Sequence, residues 1–179
     1  MRRVRASRAR AVVVGLIAAL VAWAAQAAVA PGAALPAAAF RTVEGGTMTT
    51  AELRGKPVVI AFWATWCSTC KAELEHLKQL QVRHGADKLR VVAVSVDEER
   101  EALDAYLADH SFPFTMCHDP ERAAANRFAE DEDLPLTVVA DKDGVVRHVG
   151  REFNDTTRPA LDAAVQALVA PPPAPPATP

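Results

Sequence analysis

The chain has 179 residues, of which about 135 lie between two ends that do not read as folded protein, enough for one domain around one core. With five arginines near the N-terminus set aside, 15 basic residues face 22 acidic ones, a formal charge of −7 that argues against a nucleic-acid partner. Three cysteines are an odd number, which excludes a fully paired disulfide framework and suggests one close pair and a bystander.

Residues 1–10, MRRVRASRAR, hold those five arginines and no acid, and residues 11–25, AVVVGLIAALVAWAA, are apolar without a break before Gln26. A charged start, a short apolar run and small residues after it describe an export signal. Ala25-Gln26-Ala27 and Ala28-Val29-Ala30 both fit the small-x-small cleavage pattern, although Pro31 disfavours the second. Ala11 to Ala30 also supplies the roughly 20 residues that span a bilayer, so residues 1–30 read as a cleaved signal or as an N-terminal membrane anchor. On either reading the remainder is exported, to the periplasm or the extracytoplasmic face of the membrane. At the other end PPPAPPATP (171–179) has no apolar side chains to bury and reads as a disordered tail, which leaves residues 35–170 for the folded domain.

Phe40–Val43, a Glu44-Gly-Gly46 turn and Thr47–Thr49 predict a β-hairpin. Val58–Phe62 is a β-branched and apolar run typical of a strand buried on both faces. From Ser68 to His84 the spacing is helical, with Cys70, Leu74, Leu77 and Leu80 near one face and Gly85 as the stop. Leu89–Val96 predicts a second buried strand, followed by Asp97 as the cap of a helix bearing Leu103, Tyr106 and Leu107. After an extended Phe112–Cys117, Asp119-Pro120 is expected to open another helix. Pro135–Ala140 and Val145–Val149 are strands joined by the turn signal Asp141-Lys-Asp-Gly144, and a last helix carries Leu161, Val165 and Leu168. Strands interleaved with helices mean an α/β layer fold with a parallel portion and an antiparallel terminal hairpin.

The cysteine pair of FWATWCSTC (62–70) falls where a buried strand gives way to a helix. A helix N-terminus exposes unpaired N–H groups and carries about half a positive charge, which favours the thiolate form of a cysteine placed there. Cys67 would stand at the helix start, partly exposed, and Cys70 one turn deeper. That asymmetry suits disulfide exchange, with Cys67 attacking and Cys70 resolving. Zinc would need two more ligands, yet no second C-x-x-C exists and His76 and His84 do not share the local face of Cys70. A purely structural disulfide gains little from closing so short a loop.

FWATWCSTC preceded by Gly55-Lys56-Pro57, together with Val91–Asp97 (VVAVSVD) and LPLTVVADKDG (134–144), resembles the thioredoxin superfamily, and within it the TlpA/ResA-like branch of exported thiol-disulfide oxidoreductases, which includes cytochrome c maturation proteins. The resemblance runs from about Phe40 to Leu168. It implies a thioredoxin-like α/β fold, a central mixed sheet flanked by helices, with an N-terminal hairpin and a helix-strand unit inserted around Glu98–Phe112. It implies that Cys67 is the nucleophile, Cys70 the resolving thiol and Pro135 the cis-proline beside the disulfide. Leu134 would offer backbone groups to the substrate chain, and Trp66 would flank the site. Glu73 matches an acid that this branch often carries after the second cysteine; half-buried at i+3 from Cys70, it could relay a proton to a leaving thiolate.

The implied activity is reduction of disulfides in client proteins, with no bound cofactor, no metal and an exported or membrane electron donor. A copper(I)-binding metallochaperone of the same fold is the alternative, although its pattern has three residues between the cysteines rather than two. Peroxide reduction would need a cysteine in a Pro-x-x-x-Thr-x-x-Cys context, which the chain lacks. The sequence departs from the branch at Thr69, where proline is frequent, at Ala61, where a buried polar residue is common, and at Glu75, in place of a helix-kinking proline. Cys117 is expected to pack as a small buried hydrophobe, and His118 to end a strand.

Overall fold

The computed structural model describes residues 29–131 and 133–170, so all but the last two residues of the segment read as a signal or anchor (1–30), and the proline-rich end, lie outside the described residues. Strands β1 (Ala39–Thr42), β2 (Thr47–Thr49), β3 (Val58–Trp63), β4 (Arg90–Ser95), β5 (Thr115–His118), β6 (Leu136–Ala140) and β7 (Val146–Gly150) form one sheet in the order β2-β1-β5-β4-β3-β6-β7. The β3, β4 and β5 strands run parallel, while β6 and β7 on one side and β1 and β2 on the other are antiparallel to their neighbours. Three helices, α1 (Ser68–His84), α2 (Arg100–Asp109) and α3 (Arg158–Val169), complete the thioredoxin-like fold.

The continuous apolar runs became central strands because both faces of the sheet are covered there. Every residue of β3 is buried. From Val58 to Phe62 its side chains alternate between two apolar clusters, as the period of two in a strand requires. Val58, Ile60 and Phe62 join Phe40, Leu103 and Phe128 on one face, and Val59 and Ala61 join Leu77, Leu80, Val139 and Leu161 on the other. Each large side chain so buried contributes about 2–3 kcal/mol of transfer free energy. The α1 helix ends at Gly85, whose φ of 81° is open to glycine and costly for other residues. In the β6–β7 hairpin the Asp141 carboxylate accepts from the N–H groups of Asp143 and Val145, and Gly144 again takes a positive φ of 80°.

Residues 29–35 are tied to the domain by backbone hydrogen bonds, among them Gly32 N–H to the Val146 carbonyl and Leu35 N–H to the Gly144 carbonyl. Val29 is buried and its N–H donates to the Phe128 carbonyl at 3.0 Å, while Ala34 bridges to Val145.

Two local expectations are overturned. Asp119-Pro120 does not open a helix. Asp119 Oδ2 instead accepts from the N–H groups of Ala124 and Ala125 at 3.0 and 2.8 Å, folding the loop back on itself. Arg122 within that loop has φ +54°, a left-handed value that interrupts any helix, and one 3₁₀ turn at Ala125–Arg127 is all that forms. Nor does Asp97 cap α2. Glu99 occupies the N-cap position without a side-chain hydrogen bond, and the Asp97 carboxylate points to another part of the chain.

Candidate redox site

The β3 strand delivers the chain to one end of the sheet, where Ala64–Cys67 forms a turn closed by Cys67 N–H donating to the Ala64 carbonyl at 3.0 Å. Cys67 is the N-cap residue of α1 and is joined to Cys70 by a disulfide, with Cα atoms 5.3 Å apart. Its sulfur accepts from the Cys70 N–H at 3.2 Å and lies 3.4 Å from Thr69 Oγ1. These are the donors a thiolate at this position would use, and the first turn of α1 contains no acid to oppose the helix N-terminus. Cys67 is 8% exposed and Cys70 fully buried, so the sulfur at the helix head is the approachable one, although more covered than its position suggested.

Beneath this turn lies a polar cluster that sequence reasoning missed. Thr65, two residues before Cys67, donates its N–H to both Asp97 oxygens at 3.0 Å and its hydroxyl to Oδ1 at 2.7 Å. The Ser95 hydroxyl donates to Oδ2 at 2.7 Å, and His118 Nε2 donates to the Asp97 carbonyl at 2.8 Å. Asp97 is buried, and all these donors make its burial tolerable. The ends of β4 and β5 are thereby tied to the redox turn. A cavity of about 350 Å³ opens beside them, bordered by Thr65, Trp66, Val96 and Asp97. Trp66 stands out from the turn, 69% exposed, whereas Trp63 is in the core with its ring tilted against Tyr106.

The Leu134–Pro135 peptide is cis. Since β6 runs antiparallel to β3 with Leu136 opposite Phe62, Pro135 and Leu134 continue past the strand end toward the redox turn. Pro135 is buried, and Leu134 is half-buried against the apolar cluster that contains Cys67 and Cys70.

Glu73 lies on α1 one turn beyond Cys70 and is buried rather than half-buried. The Thr137 hydroxyl donates to its Oε1 at 2.8 Å. Burial pushes the carboxyl up to about 7, against the opposing pull of the Thr137 hydrogen bond. Glu75, two residues on, is exposed, and α1 is continuous through it. His76 is committed elsewhere: its Nε2 meets Asp162 Oδ1 of α3 at 2.6 Å. Cys117 is fully buried in β5, opposite Val94 and Thr42. Burial, reinforced by the Glu44 charge, pushes its thiol up to about 12. Among the described residues no three or more His, Cys, Asp or Glu side chains cluster as a metal site would require, and no helix is long and apolar enough to cross a membrane.

Residues 29–149 match the AhpC/TSA family. The chain belongs to that family. Among curated relatives it is 34% identical over 77 residues to the thiol-disulfide oxidoreductase ResA of Oceanobacillus iheyensis, a match covering 43% of this chain and 40% of that protein. It is 36% identical over 63 residues to the thiol:disulfide interchange protein DsbE of Escherichia coli, covering 35% of this chain and 32% of that one. The matches thus span well under two thirds of these relatives' lengths. The solved structure of a DsbE-type protein from Chlorobium tepidum superposes with a TM-score of 0.73 at 24% identity, over 80% of this chain and all of that one. The thioredoxin-like fold and the likeness to the ResA-like branch that the motifs implied are therefore met in this member of the AhpC/TSA family.

Proposed function

We propose that this protein is an exported thiol-disulfide oxidoreductase that reduces disulfides in other proteins through Cys67 and Cys70. The observation that carries the reading is the disulfide at the head of α1, with Cys67 in the N-cap position and more accessible than Cys70. In the reduced protein the Cys67 thiolate attacks one sulfur of a client disulfide. That bond breaks, the client's other sulfur leaves and takes a proton, and a mixed disulfide forms. Cys70 then gives its proton to the Glu73 carboxylate and attacks Cys67 Sγ, expelling the second client thiolate and closing the Cys67–Cys70 bond. The client gains two electrons and the dithiol loses them.

A donor dithiol, membrane-bound or exported, restores the reduced state by the reverse route, because the exported compartment itself is oxidising. Cys70 leaves as a thiolate and recovers the Glu73 proton, which suits a carboxyl held near 7. The cysteines carry the electrons, so no bound cofactor enters. Leu134 and Trp66 offer the client backbone groups and an aromatic surface, and Pro135 withholds an N–H from the disulfide. Likeness to ResA and DsbE supports the reaction class, and the basic, apolar leader supports export, whether by cleavage or by anchoring.

Dithiothreitol-driven reduction of insulin tests the reading. The wild-type protein should accelerate it, Cys67→Ser should abolish the acceleration, and Cys70→Ser should accumulate a mixed disulfide on Cys67. Retained turnover in Cys67→Ser would contradict it.

A further inference from the structure

Glu73 has only one of its two carboxyl oxygens engaged. Oε1 accepts from the Thr137 hydroxyl at 2.8 Å, and Oε2 has no hydrogen-bond partner among the described residues. The engagement is mutual, for Thr137 is 1% exposed and its hydroxyl has no other partner there. Without Glu73 the hydroxyl would be a buried orphan, and without Thr137 so would Oε1. Thr137 belongs to β6, two residues beyond Pro135, and is paired with Ala61 of β3 and Gly150 of β7. The single bond therefore joins the redox helix to the strand that carries the Leu134–Pro135 turn.

The titratable neighbourhood is sparse. On α1 it is Cys70, one turn before; β3 contributes uncharged Ala61. On β7 it is half-buried His148. It pairs with Val139 of β6, two residues from Thr137. On α3 it is Asp162, already bound to His76.

We infer that Thr137 is a positioning residue for this redox site: by donating to Oε1 it makes that oxygen the carbonyl-like acceptor and leaves Oε2 as the oxygen that carries and takes the proton. In a neutral carboxylic acid the carbonyl oxygen is the better acceptor, so a fixed donor on one oxygen places the acid proton on the other. Proton exchange between Cys70 and Glu73 then runs through one atom in one orientation rather than through a carboxyl free to turn. The inference rests on the Glu73 role proposed above.

The test is the pH profile of insulin reduction in four variants of the full chain. Thr137→Val keeps the shape and removes the donor. Its Glu73-dependent limb should move up by about one pH unit, since a hydrogen bond to a charged group is worth about 1.5 kcal/mol or more. Thr137→Ser, which retains the hydroxyl, should restore the wild-type position. Glu73→Gln should remove the limb, and adding Thr137→Val to it should change nothing further. If Thr137→Val does not fold, Thr137→Ala lacks the same hydroxyl without added bulk and is read in the same way. A limb that disappears in Glu73→Gln but stays in place without the Thr137 hydroxyl overturns the inference and spares the Glu73 role. A profile untouched by Glu73→Gln overturns both.

Discussion

Cys67 and Cys70 stand where β3 gives way to α1, whereas Cys117 lies in β5, between β4 and β1 and covered on both sides. The first region surrounds sulfur with donors: the Cys70 N–H, the Thr69 hydroxyl and the open N-terminus of a 17-residue helix. The second buries it in the apolar core with the negative charge of Glu44 acting on it, and the thiol is held at about 12. A thiol and a thiolate differ by one charge, so the same side chain is made reactive or inert by what the backbone brings near it. Two buried carboxylates extend the contrast at the redox end. Asp97 has both oxygens committed to donors, which fixes it as a support, while Glu73 has only one oxygen engaged among the described residues and is pushed up to about 7 by burial.

Removing the support should have the largest effect. Asp97→Ala leaves the Thr65 N–H and the Thr65 and Ser95 hydroxyls without their acceptor, and should cost about 4 kcal/mol of stability in denaturant unfolding. Insulin reduction should fall with it, since Thr65 anchors the turn that ends at Cys67; an unchanged rate would separate the cluster from the chemistry.

Glu73→Gln sharpens the contrast between the two carboxylates. The native value of about 7 lies above the ordinary 4.5, so the folded state holds this proton more tightly than the unfolded chain. That contribution is fully present below pH 4.5 and is lost as pH rises through 7, amounting to about 3 kcal/mol. Measured on the oxidised protein, in which the cysteine pair does not titrate, wild type should weaken across this window and Glu73→Gln should not. Parallel curves would contradict the burial argument.

The smallest effect is expected at the inert thiol. Cys117→Ala should cost about 1 kcal/mol through a small cavity and leave both reduction potential and turnover unchanged. A shifted potential would mean that the two regions communicate.

What was legible in the sequence is what depends on neighbours along the chain. The bounds of α1, Ser68 and His84, follow from the change of period after Trp66 and from Gly85, and β3 and β4 follow from unbroken apolar runs. The position of the cysteine pair at a strand-to-helix junction came with them. What was not legible depends on distant partners. An aspartate just before a helical stretch reads locally as a cap, but Asp97 finds stronger donors on Thr65, 32 residues away. Thr137 and Glu73 are separated by 64 residues, and only the fold brings them to one hydrogen bond. Asp119-Pro120 failed as a helix start because the Asp119 side chain serves N–H groups five and six residues ahead, closing a loop where a helix would run on.

If position at the head of α1 gives Cys67 its reactivity, alkylation of the reduced, folded protein with iodoacetamide across pH, read thiol by thiol by mass spectrometry, will separate the three sulfurs. Cys67 should label first, with a half-maximal rate below the free-cysteine value of about 8.5, while Cys117 stays unlabelled until the protein unfolds. Labelling of Cys67 that rises only at or above that pH, or that keeps pace with Cys117, would contradict the account.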